Sequence, residues 1–191
     1  MDEWGVERLT NPLSGFQWQE MTAQFSNKSR SESVRYIKVA GRRSDYSGYH
    51  AYFVYQDNSL VLDWQATIGW SEFSFDELLQ SKPRRAVSVR CLLKKQPGYE
   101  IRLNGTTYSG YLISSPNLDA YTFAYVPLDT HQQIDRNLKD ALNYGSFIIK
   151  EPPLENKRVT LKISYQEELG KDGNFIITEL LHDEWVTPKD P

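Results

Sequence analysis

The alternation of apolar and polar positions predicts most of the strands in this chain. In its first third, three segments have the aromatic and β-branched pattern of half-buried strands: residues 33–40, 49–56 and 60–66. A tight-turn signal at Asp57-Asn58 joins the last two, so the three segments predict a small β-meander. Residues 1–30 have no regular period, which predicts an irregular arm with a short helix over residues 17–25.

The period becomes helical after the meander. The apolar face of this helix is formed by Phe75, Leu78 and Leu79. Either Ser71 alone or a Ser74–Glu77 capping box begins the helix, and Pro83 ends it. We therefore predict two parts: residues 1–83 form an N-terminal arm and β-meander lobe, and residues 84–191 form a second domain.

The second domain begins with one long strand that contains a bend. The positions on one face of this strand are Val87, Val89, Cys91 and Leu93. The alternation stops at Pro97-Gly98 and resumes over residues 99–103, which a glycine bulge within a single strand explains. Asn104-Gly105 then predicts a type I′ hairpin, and the return strand ends at Ser114.

Four further elements follow in the second domain. The predicted strands are residues 120–126, 159–165 and 175–181, with turns at 115–117 and 170–173. A helix lies between the first two of these strands, and its apolar face is Ile134, Leu138, Ala141 and Leu142. A Thr130–Gln133 capping box begins this helix and Gly145 stops it.

This order of elements is that of an OB-fold, a five-stranded barrel with its helix between strands three and four. The predicted fold class is therefore β-rich α+β: an OB-like five-stranded barrel preceded by a small β-meander and helix lobe. An open mixed sheet is the alternative, because the order of elements does not by itself fix which strands pair.

A longer pattern resembles a family of bacterial proteins. It consists of the run from Leu62 to Trp70, the sequence Phe75-Asp76-Glu77-Leu78, then Pro83, and a β-rich tail that ends in Trp185-Val186. This pattern is similar to that of uncharacterised planctomycete and verrucomicrobial proteins, over residues 34–186. The resemblance implies a shared fold and an envelope-tethered parent chain, and it implies no activity and no catalytic residue.

Composition and charge narrow the classes of function. Aromatic residues make up 13% of the chain, which favours a β-rich fold, and the net charge of −3 gives no overall attraction to nucleic acid. Cys91 is the single cysteine and alternates with apolar residues, so we expect a buried side chain and no internal disulfide. No apolar run approaches 18 residues, so we expect a soluble chain, or the soluble part of an envelope-tethered protein. The sequence does not specify the compartment.

Two groups of residues are candidate binding sites. On an OB-like barrel the face of strands two and three would hold the first candidate ligand-binding set: Tyr99, Arg102, Tyr108, Tyr111, Tyr121 and Tyr125. Nearby acidic residues offset the basic ones, and cross-strand packing is the other explanation for these tyrosines. The most basic stretch suggests an anion site, or else a solvated strand face, at Arg35, Lys38, Arg42 and Arg43.

No catalytic motif stands out. His50, His131 and His182 are not at metal-ligand spacing, and no nucleophile or phosphate-binding motif is present. We therefore expect no cofactor, no metal and no enzymatic activity. The leading prediction is an accessory module that binds a protein or peptide partner. Binding of single-stranded nucleic acid or glycan is the alternative, and an enzyme whose site is built from scattered residues is the third.

Overall fold

The computed structural model describes residues 14–27, 30–42, 48–57, 59–115, 119–144, 152–169 and 174–186. Within these ranges, side chains are described from Arg35 onward, apart from residues 97–99. The strands are β1 (Ser14–Asn27), β2 (Arg30–Arg42), β3 (Gly48–Gln56), β4 (Ser59–Leu62), β5 (Val87–Leu103), β6 (Thr106–Ser114), β7 (Tyr121–Pro127), β8 (Lys157–Gln166) and β9 (Asn174–His182). The helices are α1 (Trp64–Ile68), α2 (Phe75–Ser81) and α3 (Leu128–Ala141).

The chain divides into two compact units. The first consists of Met1–Ala23, Ser33–Ile68 and Val186–Pro191, and the second consists of Gln24–Glu32 and Gly69–Trp185. The predicted boundary after Pro83 falls inside the second unit, which also contains α2. The predicted division into residues 1–83 and 84–191 stays a prediction.

The first unit contains an antiparallel sheet of β2, β3 and β4, as the meander pattern predicts. Tyr36 pairs with Val54, and Lys38 pairs with Tyr52, so Tyr36 and Tyr52 lie on the same face of the sheet. Both tyrosines are buried, and their ring centroids are 6.0 Å apart. Helix α1 contacts β3, where the Thr67 hydroxyl accepts a hydrogen bond of 3.1 Å from the backbone N–H of Tyr52.

The second unit contains a mixed sheet whose pairings form a ring. Strand β5 pairs with β6, β6 with β7, β9 with β8, and β8 with β5, all antiparallel. The remaining pair, β7 with β9, is parallel. A sixth strand adds to this ring, because Phe25 of β1 pairs with His182 of β9. The observed architecture is thus β-rich α+β with a ring-like sheet.

The hydrophobic core of the second unit lies between this sheet and two helices. Val87, Val89, Cys91 and Leu93 are each at most 1% exposed, so the predicted inward face of β5 is confirmed. Helix α3 adds Leu138 and Leu142, and α2 adds Phe75 and Leu78. Each aliphatic side chain buried in this way contributes about 1.5–3 kcal/mol, which makes this core the main source of stability in the unit.

The bend and the hairpin of the long strand are both confirmed. Strand β5 is continuous, and its register with β6 shifts between Lys95 and Glu100, as a bulge requires. Leu103 pairs with Thr106, and the two turn residues have positive φ angles: 50° at Asn104 and 85° at Gly105. Two positive φ angles are the signature of a type I′ turn.

Two predictions for the first third of the chain were wrong. Residues 14–27 form strand β1, so this part of the predicted irregular arm is a strand and residues 17–25 are not a helix. The pairing of Phe25 with His182 gives the reason, because a partner far along the chain overrides weak local preference. The third meander strand ends at Leu62, and residues 64–66 are helical, because Asp63 provides a helix cap that stops the strand.

The start of α3 also differs from its prediction. The helix begins at Leu128, directly after Pro127, and a non-helical His131 interrupts it. The Gln133 side chain donates to the Asn137 carbonyl Oδ1 at 2.8 Å, so the predicted Thr130–Gln133 capping box does not form. By contrast, the Ser74–Glu77 capping box of α2 is confirmed. Gly145, the turn at 170–173 and most of the turn at 115–117 lie outside the described residues.

The hairpin predicts a local cost of substitution. Gly105→Ala should lower the free energy of unfolding by about 1 kcal/mol, because a side chain at φ 85° is strained even though the space beside it is open. Gly48 is the matched control, since its surroundings are also open and its φ is not in the left-handed region. Gly48→Ala should be neutral or slightly stabilising in the same urea titration. Equal effects of the two substitutions would contradict the turn assignment.

Candidate functional site

An exposed apolar surface marks the end of the first unit's sheet. Five large apolar residues within nine positions are each 40–49% exposed: Leu60, Val61, Leu62, Trp64 and Ile68. We call this set the β4–α1 surface. Single exposed apolar residues are ordinary on any protein, but a group of this density is typical of an interaction site.

The fold positions this surface through Asp63, which lies between β4 and α1. Its backbone N–H donates to the Tyr52 carbonyl at 2.8 Å and fixes the end of β4 beside β3. Its carboxylate accepts from the backbone N–H of Ala66 at 2.9 Å, as a helix cap does. The sharp change of direction turns Trp64 and Ile68, four residues apart on α1, outward together while Ala66 is buried.

Strand β4 is an edge strand. It pairs with β3 on one side, and no other strand among the described residues pairs with its second side. The second side therefore offers backbone N–H and carbonyl groups to a further strand. Natural edge strands are usually protected by charged residues, a proline or a bulge, whereas Leu60-Val61-Leu62 has none of these.

One face of the sheet continues this apolar character. Leu60 pairs with Tyr55 and Leu62 pairs with Phe53, so these four side chains share a face. Phe53 and Tyr55 are half-buried, while Leu60 and Leu62 are exposed. The guanidinium of Arg35 lies 5.0 Å from the centre of the Tyr55 ring, which places a positive charge beside this apolar strip.

The predicted ligand-binding set of the barrel is not assembled into one platform. Tyr111 is fully buried in the core of the second unit, and Tyr125 is 3% exposed in a second apolar cluster with Ile176. Tyr108 is half-buried against that second cluster. Tyr121 is 64% exposed and Arg102 is exposed. The side chain of Tyr99 lies outside the described residues, and ligand binding by this set stays a prediction.

The predicted anion site is divided between the two faces of β2. Arg35 points to the face of Tyr55, whereas Lys38 lies 5.8 Å from the ring of Tyr52 on the opposite face. Arg42 is exposed on the face of Lys38, four residues further along the strand. Arg43 lies outside the described residues. These cations do not converge on one point, so any anion binding by them stays a prediction.

Sequence reasoning missed a buried polar network beneath α3. The Lys95 amine donates to the Ser109 hydroxyl at 2.7 Å and to the Gly110 carbonyl at 3.1 Å. It also lies 4.4 Å from the centre of the Tyr111 ring. The Tyr111 hydroxyl donates to the Asp135 carboxylate at 2.7 Å, and Lys139 forms an ion pair with that carboxylate at 2.6 Å.

Burial and charge shift the pKa values of this network. Burial lowers the pKa of Lys95 below its ordinary value, while the Asp135 charge opposes that effect. Burial and the hydrogen bond to Asp135 raise the pKa of Tyr111. A lysine amine beside a serine hydroxyl can activate that hydroxyl as a nucleophile, but Ser109 has no exposed surface for a substrate to reach. The network therefore holds α3 on the sheet.

A signal for this network exists in the sequence. Lys95 continues the inward series of Val87, Val89, Cys91 and Leu93, so its parity places it on the core side. Asp135 stands three residues before Leu138 and seven before Leu142, on the apolar face of α3. Two charged residues at core positions on facing elements indicate a buried pair.

The remaining chemistry of the described residues is sparse. No group of three histidine, cysteine, aspartate or glutamate side chains among them could hold a metal ion. Cys91 is fully buried, which raises the pKa of its thiol and makes the thiolate inaccessible. None of the helices in the described ranges has the length and hydropathy needed to cross a bilayer.

Comparison with known proteins adds no family. No protein-family model matches this chain, and no curated protein matches its sequence. The resemblance to planctomycete and verrucomicrobial proteins stays a prediction.

Proposed function

We propose that this chain is a non-enzymatic interaction module, which binds an extended segment of a partner protein along the edge of β4. The observation that carries the proposal is the β4–α1 surface, where a three-residue apolar run lies on an edge strand whose second side pairs with no strand in the described part of the chain. An added strand would gain main-chain hydrogen bonds from this edge.

The register of the sheet specifies the chemistry of the partner segment. Leu60 and Leu62 point to one face and Val61 points to the other, so a bound strand contacts them through alternating apolar side chains. Trp64 and Ile68 extend the apolar contact beyond the end of the strand. Arg35, beside Tyr55, favours an acidic residue in the bound segment.

We further infer that the second unit is an OB-like barrel. The inference rests on its ring of strand pairings, on the parallel β7–β9 pair, and on α3 between the third and fourth strands of the ring. Tyr111 and Tyr125 are buried, so among the described residues these two tyrosines do not offer their rings for the base stacking that binding of single-stranded nucleic acid uses. The nucleic-acid and glycan alternative is therefore less favoured than peptide binding.

The test is peptide binding by variants of the edge. A nine-residue peptide of alternating valine and threonine, with glutamate at one end, should bind the wild-type chain, and the same peptide with a central proline should not. Leu62→Lys should weaken binding about tenfold by removing an apolar contact and introducing charge. Because Leu62 is 40% exposed, the same variant should keep its free energy of unfolding within about 0.5 kcal/mol.

Leu154→Lys is the matched control, since Leu154 is a similarly exposed leucine (38%) in the second unit. It should leave peptide binding unchanged. Equal binding by the Leu62→Lys variant and the wild-type chain, measured by fluorescence anisotropy, would show the proposal to be wrong. Binding of a single-stranded oligonucleotide that weakens steeply with salt would instead support the alternative.

A further inference from the structure

The second unit contains a cleft of about 530 Å³ between the end of α3 and the end of β9. Its size is in the range of small-molecule sites, which are typically about 300–1,000 Å³. Its lining residues all belong to the second unit, whereas the β4–α1 surface belongs to the first. Leu154 and Leu180 provide apolar wall.

The cleft is lined by two carboxylates, Asp140 and Asp183, and by one amine, Lys157. Lys157 forms an ion pair with Asp183, with 3.3 Å between Nζ and Oδ2. Asp140 is exposed at the surface of α3 and has no ion-pair partner among the described residues. His182 is neutral near pH 7, because burial and then the Arg90 charge lower its pKa to about 4. The lining therefore carries a single excess negative charge.

Two kinds of ligand fit this arrangement poorly. An anion would meet the excess negative charge of Asp140, and nearby like charge is unfavourable for binding. A divalent metal ion needs several ligands that converge, and no described group of three acidic, histidine or cysteine side chains meets that requirement. A small organic cation needs only one carboxylate for its charge and apolar wall for its carbon chain.

We infer that this cleft binds a primary alkylamine, with the ammonium group paired with Asp140 and the alkyl chain against Leu154 and Leu180. The ammonium donates charge-assisted hydrogen bonds to the carboxylate, which are the strongest contacts that a small ligand can make here. The alkyl chain covers the apolar side chains of Leu154 and Leu180 and so removes their surface from water. Lys157 reduces the affinity by neutralising Asp183.

The test uses n-pentylamine as the probe and the full chain as the receptor. Titration followed by amide chemical shifts should give saturable changes at residues 180–183 and around Asp140, with a dissociation constant on the order of 1 mM for so small a ligand. n-Pentanol, which has the same carbon chain without the charge, should bind about tenfold more weakly.

Three variants separate binding at the cleft from general attraction to a protein of net negative charge. Asp140→Asn should weaken n-pentylamine binding about tenfold, whereas Asp129→Asn, at an exposed position in the first turn of α3, should leave it unchanged. Lys157→Met should strengthen binding about threefold, because it frees Asp183. Shifts located elsewhere, equal binding of n-pentanol, or an unchanged constant for Asp140→Asn would overturn the inference.

Discussion

Asp135→Ala should lower the free energy of unfolding by about 3 kcal/mol, which is a large fraction of the stability of a typical domain. Asp135 is 4% exposed and carries the negative charge of the buried network beneath α3. Removing its carboxylate takes away the nearer acceptor of the Tyr111 hydroxyl, at 2.7 Å, and the ion-pair partner of Lys139 at 2.6 Å, while the backbone carbonyl of this position remains 3.3 Å from the hydroxyl. Lys95 then remains buried near the Lys139 cation and keeps only the smaller compensating effect of Glu100.

The size of this effect comes from the group that is left behind. A surface ion pair contributes little, but a charge that stays buried after its partner is removed carries its full desolvation penalty. Lys95 is 8% exposed, and its amine keeps its hydrogen bonds to Ser109 and to the Gly110 carbonyl. Those bonds stabilise the amine but do not neutralise it. A double variant, Asp135→Ala with Lys95→Met, should therefore recover part of the lost stability.

The pH dependence of stability provides an independent measurement. Burial alone raises the pKa of Asp135, but hydrogen bonds from Lys139, Ser109 and Tyr111 lower it below its ordinary value of 3.8. The unfolded chain therefore takes up this proton at a higher pH than the folded chain does. The stabilisation is present above the ordinary value and is lost as pH falls through the lower folded value. In the Asp135→Asn variant, the free energy of unfolding should therefore fall less steeply at acid pH.

His182 acts in the adjoining pH range. Its pKa in the folded protein is about 4, against an ordinary value of 6.5, so only the unfolded chain takes up the proton between these values. Stability should therefore fall as pH decreases from 6.5 towards 4, before Asp135 titrates. Thermal unfolding of the wild-type, His182→Asn and Asp135→Asn chains at each pH would separate the two groups.

Arg136→Ala is the control for Asp135, because Arg136 is the exposed neighbour on the same helix. Its effect on the free energy of unfolding should stay within about 0.5 kcal/mol. A loss below 1 kcal/mol for Asp135→Ala in the same urea titrations would contradict the network as a structural element.

The part of the fold that the sequence predicts best is the part with strong local signals. The inward parity of β5, the bulge near Pro97 and the Asn104-Gly105 turn each follow from the residues themselves. The same parity places Lys95 on the side of β5 that holds Val87, Val89, Cys91 and Leu93, which is the core side. The network itself does not follow from parity, because Lys and Asp are rarely buried unless paired, and the partners of Lys95 lie on β6 and α3.

The candidate surface was harder to predict, because alternation shows which residues share a face but not which face is covered. Tyr111 and Tyr125 were both expected on an exposed face, yet one is in the core and the other is under a second apolar cluster. Leu60-Val61-Leu62 looked like an ordinary half-buried strand, and it is exposed on every residue. Exposure depends on partners far along the chain, such as the strand that pairs at Phe25, which local pattern does not encode.

Arg90→Met should lower the free energy of unfolding by about 3 kcal/mol, because Arg90 ties two distant segments to the outer side of β5. Its Nε donates to the Trp185 carbonyl at 3.0 Å, and its Nη1 donates to the Trp70 carbonyl. A third hydrogen bond holds Trp185 on β5, because its indole N–H donates to the Cys91 carbonyl at 3.2 Å. We call these three hydrogen bonds of Arg90 and Trp185 the strap. Methionine keeps the length of the stem but removes both donors.

Arg90→Lys separates the hydrogen bonds from the charge. A lysine retains the positive charge, but its single ammonium lacks the fork that reaches two carbonyls in different directions. We therefore expect Arg90→Lys to lose most of the stability that Arg90→Met loses. The two variants should differ in the pKa of His182, which is lowered first by burial and then by the charge of Arg90.

The pKa of His182 in the folded protein is therefore the decisive measurement for this strap. In Arg90→Met it should rise from about 4 but stay below 6.5, because burial is the larger cause and remains. In Arg90→Lys it should stay near the wild-type value while the unfolding midpoint falls. Proton NMR titration of the His182 ring measures the first quantity and urea denaturation measures the second. If both variants shifted the pKa equally, the charge of Arg90 would not act on His182; if neither lost stability, the segments at Trp70 and Trp185 would be held by other contacts.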